Sequence, residues 1–189
     1  MEQLIGRKNI EPIELNLFKM MIKKVCLYGP ESVGKTTTAR QLAGIYQTSF
    51  VYEVSRNILS DNEFSLADIE KIGIAQTKAV QEAEQRANKI LFCDTDLITT
   101  QIYSEYYLHA IPPILFELEK IIHYDLYFLL DIDVPWVADG LRDLGHKRQE
   151  MYQIFKDALD ERGIEYIKVS GDWDERLRII REVVDVLIF

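Results

Sequence analysis

Eight residues constrain this chain more than any others. Gly29-Pro30-Glu31-Ser32-Val33-Gly34-Lys35-Thr36 match G-x-x-x-x-G-K-[ST] in full. They follow the apolar run Val25-Cys26-Leu27-Tyr28 and precede a stretch, from about Lys35, with Ala39, Leu42, Ala43 and Tyr46 on one helical face. A buried strand, a glycine loop and a helix are the context that gives the pattern physical meaning. Glycines let the backbone curl so that several N–H groups point inward at a phosphate, and the helix N-terminus adds partial positive charge. In such a loop Lys35 reaches the β- and γ-phosphates and the Thr36 hydroxyl ligates Mg²⁺. The expectation is a nucleoside triphosphate site built from Gly29, Pro30, Glu31, Ser32, Val33, Gly34, Lys35, Thr36 and Thr37.

The remainder of the chain repeats the strand-then-helix rhythm. Strands are expected at Ser49–Tyr52, Ile90–Cys93, Leu126–Leu130 and Ile164–Val169; Leu126–Leu130 is apolar at every position, as suits a strand covered on both faces. Ser65 with Asp68 opens a helix whose stripe is Ile69, Ile72, Gln76, Ala79, Val80, Ala83 and Ala87. Further helices are expected near Leu97–Tyr107, Pro113–Ile122 and Arg148–Arg162, with Gly163 as a left-handed cap, and Asp172 opens the last, whose inner face holds Leu177, Ile180, Val184 and Leu187. Five strands alternating with helices predict a doubly wound, mostly parallel α/β sheet with helices on both faces, occupying 23–189 behind an N-terminal extension, 1–22.

Composition narrows the function classes. With 22 Lys+Arg against 31 Asp+Glu, the formal net charge is −9, a poor field for a nucleic-acid partner. Hydrophobic residues make up 48%, enough to build a core, yet no window is long and apolar enough to cross a membrane. The start carries Glu2, Glu11 and Glu14 and lacks a signal-peptide pattern, and Cys26 and Cys93 read as buried hydrophobes, so a cytoplasmic protein is expected.

Other polar residues fall at strand ends, where open α/β sheets place their ligands. Asp94 closes the third strand and suits a role on Mg²⁺; Asp96, two residues on, either binds substrate hydroxyls or caps the next helix. Tyr52-Glu53-Val54-Ser55-Arg56 ends the second strand. Glu53 is placed to take a proton from an attacking hydroxyl, Arg56 to clamp substrate or phosphate, and Tyr52 to stack on a ring. After the fourth strand, Trp136-Val137-Ala138-Asp139-Gly140-Leu141-Arg142 and Gly145-His146-Lys147-Arg148 gather cations, and Arg142 and Arg148 are the candidates to cover a transferring phosphate.

Together, Gly29 to Thr36, Tyr52-Glu53 with Arg56, Phe92-Cys93-Asp94-Thr95-Asp96 with Thr99-Thr100-Gln101, and Pro135 to Arg142 resemble the ribosylnicotinamide kinase domain of NadR-type proteins over roughly residues 24–188. The resemblance implies transfer of the γ-phosphate of ATP, with Mg²⁺, to the 5′-hydroxyl of nicotinamide riboside, giving nicotinamide mononucleotide. Of the adenylyltransferase and DNA-binding activities whose domains often precede such a kinase neither is expected, since 22 residues are too few to encode either domain and no His-x-Gly-His string occurs in this sequence. Where the family tends to carry Trp before the strand-two glutamate and an aromatic in the middle helix, this chain has Tyr52 and the aliphatic stretch Ala79 to Ala83, so weaker stacking on a cationic ring is expected.

Other readings are a kinase for another small acceptor, a regulatory ATP or GTP switch, and a scaffold with a silent loop. The guanine-reading Asn-Lys-x-Asp is broken at Asn88-Lys89-Ile90-Leu91, an AAA-type motor needs a helical lid domain that this length does not supply, and a silent loop does not need Glu53, Asp94 and the arginines together.

Overall fold

The computed structural model describes residues 21–60, 63–138 and 142–188. Most of the expected extension, and Asp139-Gly140-Leu141 of the cation-rich segment, lie outside the described residues.

The strands are β1 (Lys23–Tyr28), β2 (Phe50–Val51), β3 (Ile90–Asp94), β4 (Leu126–Leu130) and β5 (Tyr166–Val169). The longer helices are α1 (Lys35–Tyr46), α3 (Leu66–Arg86), α4 (Leu97–Leu108), α6 (Arg148–Glu161) and α7 (Trp173–Ile188), with short helices α2 (Ser55–Ile58) and α5 (Ile114–Glu119) and a 3₁₀ turn at Gly145–Lys147. The sheet has the order β2-β3-β1-β4-β5, and every pairing is parallel. β1 is therefore central, and the chain must cross over it to reach both edges, which requires helices on both faces.

Alternation along β1 shows how the two layers are served. Val25 and Leu27 face a core shared with Ala39 and Leu42 of α1 and Ile180 and Val184 of α7. Cys26 and Tyr28 face the opposite core, with Ile98 and Ile102 of α4 and Phe155 and Leu159 of α6. Both cysteines are buried and unoxidised. Among the described residues no helix is long and apolar enough to cross a membrane.

Helix ends follow local chemistry. Ser65 and Asp68 form a capping box at the start of α3, Gly163 takes φ +63° after α6, and Asp172 accepts the Glu175 N–H at 2.9 Å as α7 begins. Several elements differ from expectation: β5 begins at Tyr166 rather than Ile164, and α2 was not expected. β2 is two residues long, because an edge strand pairs on one side only. α5 stops at Glu119, short of Ile122.

Candidate active site

Register brings the chemistry to one edge. Leu27 of β1 pairs with Asp94 of β3, so the first residues of the glycine loop and the end of β3 emerge side by side. The loop's turns use backbone with positive φ at Gly29, Ser32 and Gly34. At Gly34, φ +90°, an added Cβ would lie 2.5 Å from the Trp173 ring, so both conformation and space demand glycine. Lys35 folds back with its ammonium donating to the carbonyl oxygens of Gly29 at 2.7 Å and Pro30 at 2.8 Å. The Thr36 hydroxyl, in the first turn of α1, donates to Asp94 Oδ2.

Asp94 is fully buried, and its Oδ1 has no hydrogen-bond partner among the described residues. Burial pushes its carboxyl above the usual carboxylate range, with the Lys35 charge opposing. An orphaned buried carboxylate oxygen beside a hydroxyl fits a hard divalent cation that takes its remaining ligands from phosphate and water. Thr36 and Asp94 would therefore hold Mg²⁺.

The loop opens into a cavity of about 130 Å³ that continues to Glu53, Ser55 and Arg56. Glu53 accepts from Ser55 Oγ at 3.0 Å and from Arg56 Nε at 3.2 Å. The two form an i, i+3 ion pair and both belong to the cavity wall. Arg142 reaches the same cavity, with Nη1 donating to the Val137 carbonyl at 3.3 Å.

Asp94 meets this wall only through Thr36, and three further candidates are set apart from it. Tyr52 is 42% exposed and its hydroxyl meets Arg40, because extended backbone turns neighbouring side chains to opposite faces and Glu53 takes the inner one. Asp96 is the cap of α4. It accepts from Thr99 N–H at 2.9 Å, Thr99 Oγ1 at 3.1 Å and the Tyr127 hydroxyl at 3.0 Å, which leaves it turned from the cavity. Burial raises its carboxyl to about 6. Arg148 begins α6 outside the cavity wall, its charge set among Asp133, Asp131 and Glu31, with Nε and Nη2 buried and without a hydrogen-bond partner among the described residues.

Sequence reasoning missed the aromatic wall. The rings come from Phe64, Tyr103 and Tyr107 rather than from the middle helix. Phe64 and Tyr107 meet edge-to-face at 5.5 Å, and Tyr103 and Tyr107 stack at 6.3 Å. The i, i+4 spacing of the two tyrosines on α4 was the available signal. It also missed the struts behind the loop. Glu31 Oε1 accepts from Trp136 Nε1 at 3.1 Å and from Leu144 N–H at 2.9 Å, while Ser32 Oγ accepts from Val137 N–H at 2.8 Å. The cation-bearing segment is thus tied to the loop by the loop's own variable positions.

Comparison with known proteins identifies the family and the fold. A family model described as an AAA domain, AAA_28, matches residues 24–176. The trifunctional NAD biosynthesis/regulator protein NadR of Escherichia coli (strain K12) is 33% identical over 186 residues, covering 92% of this chain and 45% of that protein; the chain thus spans less than half its relative's length. A crystal structure of NadR with NR superposes with a TM-score of 0.74 at 25% identity, covering 89% of this chain and 52% of that one. A second, of NadR with NAD and AMP-PNP, does so at 0.74 and 23%, covering 88% and 49%. Thymidylate and deoxyadenosine kinases share the fold. The chain belongs to the AAA_28 family of P-loop domains and is a NadR homologue with the fold of the nucleoside and nucleotide kinases.

Proposed function

We propose that this protein is an ATP-dependent phosphotransferase that transfers the γ-phosphate of ATP to the 5′-hydroxyl of nicotinamide riboside, forming nicotinamide mononucleotide for NAD synthesis. The observation that carries the reading is that one cavity's wall includes Lys35 and Thr36 of the loop together with Glu53 and Arg56. A phosphate donor and a hydroxyl acceptor can meet there. Homology to NadR, a protein named for NAD biosynthesis, and the fold shared with a NadR structure containing NR support this acceptor.

In this reading the loop amides and Lys35 hold the triphosphate tail. Thr36 and Asp94 would hold Mg²⁺, which would supply positive charge against the phosphate oxygens. Glu53 takes the proton of the 5′-hydroxyl as its oxygen forms the new bond to phosphorus; the bond to the β,γ-bridging oxygen breaks and ADP leaves with that electron pair. Arg56 and Arg142 face the charge spread over the equatorial oxygens. The aromatic wall receives the pyridinium ring through the quadrupole of its faces. An acidic chain keeps polyanionic nucleic acid away and takes a small cationic nucleoside as partner.

The test is ADP release from ATP and Mg²⁺ with nicotinamide riboside, with other nucleosides, and with no acceptor. Nicotinamide riboside is expected to give the highest kcat/KM and a product carrying a 5′-phosphate. Preference for another nucleoside would replace the acceptor, and hydrolysis equal with and without acceptors would point to a nucleotide switch.

A further inference from the structure

Gln76, on the inner stripe of α3, is 2% exposed and forms part of the cavity wall. Its Oε1 accepts the Val54 N–H at 3.0 Å. That bond fixes the amide's orientation, since a flip would set NH₂ against N–H. The other end, Nε2, is buried and has no hydrogen-bond partner among the described residues. Leaving a buried donor without an acceptor is costly, and such groups in folded proteins call for a specific explanation. Gln76 also borders a smaller cavity with Asp96 and Glu119, whose carboxylates already accept from Thr99 and Tyr127 and from Gln101 and Arg162. The larger cavity's wall also carries Ile69, Ile72, Phe64, Tyr103 and Tyr107, apolar and aromatic side chains against which a flat ring can sit. Thr95, Thr99 and Thr100 share that wall.

Resting on the acceptor reading above, we propose that Gln76 determines specificity for the acceptor's ring. Its side-chain NH₂ donates a hydrogen bond to a neutral carbonyl oxygen, that of a carboxamide carried by the planar ring seated against Tyr103 and Tyr107. The choice of partner follows from hydrogen-bond inventory. Oε1 already accepts from Val54 N–H, and the Gln76 group left without a partner among the described residues is its NH₂ donor. A ribose hydroxyl brings a proton that needs an acceptor of its own, which the Glu53 carboxylate can supply. A carbonyl oxygen only accepts, so it complements the orphaned NH₂.

The experiment compares two acceptors, nicotinamide riboside and 1-ribosylpyridinium, the same nucleoside without the carboxamide. Each is assayed with ATP and Mg²⁺ on the wild-type chain and on Gln76→Met, which preserves volume and removes the donor. The wild type is expected to favour nicotinamide riboside by about 10- to 100-fold in kcat/KM. In Gln76→Met that preference falls to within about 3-fold, through a raised KM for nicotinamide riboside. A residue that only shapes the helix would slow both acceptors alike and leave their ratio unchanged, and that result overturns the assignment. If Gln76→Met does not fold, the wild-type ratio decides, and a value near one rejects the proposal. Wild-type turnover of neither acceptor sinks the acceptor reading and this inference together, whereas good turnover of nicotinamide riboside with an unmoved ratio sinks the role of Gln76 alone.

Discussion

The guanidinium of Arg176, buried in the first turns of α7, donates from Nη1 to the carbonyl oxygen of Val33 at 2.8 Å. The same side chain donates to Gly171 O at 3.0 Å and Asp131 O at 2.9 Å and pairs with Asp133. One cation thus joins the phosphate loop to the ends of β4 and β5 from below. Arg176→Met would leave three carbonyl oxygens and the Asp133 carboxylate without this partner. A loss of about 3–5 kcal/mol is expected, read as a fall of roughly 6–20 °C in Tm by thermal melting. The KM for ATP should rise in any fraction that remains folded, because Val33 lies within the loop.

Lys35 is the loop's only side-chain cation, and its present partners are two loop carbonyls. In Lys35→Ala the loop should fold, while charge on the transferring phosphate loses its fixed counter-charge. We expect ADP release to fall by at least about 10²–10³-fold. Wild-type turnover in the variant would mean that the loop serves only the fold.

For Glu53→Gln, shape and the contact with Ser55 are retained while the proton acceptor is removed. The expected outcome is a fall in kcat of about 10²–10⁴-fold with little change in KM. If KM alone rises, Glu53 orients the acceptor and another group takes the proton.

Asp125 offers a pH-dependent measure of fold stability. It accepts from Lys23 Nζ at 2.7 Å and from Lys24 N–H at 2.9 Å, fastening the start of β1 to the start of β4. Burial works against its charge, but these two hydrogen bonds and the Lys23 charge outweigh it and hold its carboxyl below the usual carboxylate range. A lowered folded value means that the contribution is present above the unfolded value, about pH 4, and is lost as pH falls through the folded one. Asp125→Asn should therefore cost about 0.5–1.5 kcal/mol at pH 7 and converge with the wild type in acid, measured as urea midpoints across pH. A difference independent of pH would show that packing, not ionisation, accounts for the cost.

How far each site residue was legible depends on the range of the interaction that places it. The loop from Gly29 to Thr36 was read from spacing because its function is local: backbone turns, one lysine and one hydroxyl within eight residues. Asp94 was legible from its position after an apolar run, and its bond to Thr36 follows from parallel register. Asp96 was left between two roles because helix caps and ligand contacts use the same short acidic side chains; its three hydrogen bonds within the chain identify the cap. Tyr52 and Arg148 carry suitable chemistry, but side-chain direction is not a property of composition. Gln76 was legible only as one member of an inner stripe, since its importance lies in an amide nitrogen that no neighbour accepts.

The amino-acid order by itself determined the layered α/β architecture and the location of the phosphate cradle, because hydrophobic periodicity and turn chemistry act over a few residues. It also located the strand ends at which acidic groups gather. Only the folded arrangement decided which of those groups share one cavity, that the aromatic wall comes from Phe64, Tyr103 and Tyr107, and that Arg176 and Glu31 brace the loop from distant segments. Those outcomes depend on strand order and on the face each side chain takes after the chain crosses the sheet, and such contacts join residues separated by as many as 143 positions.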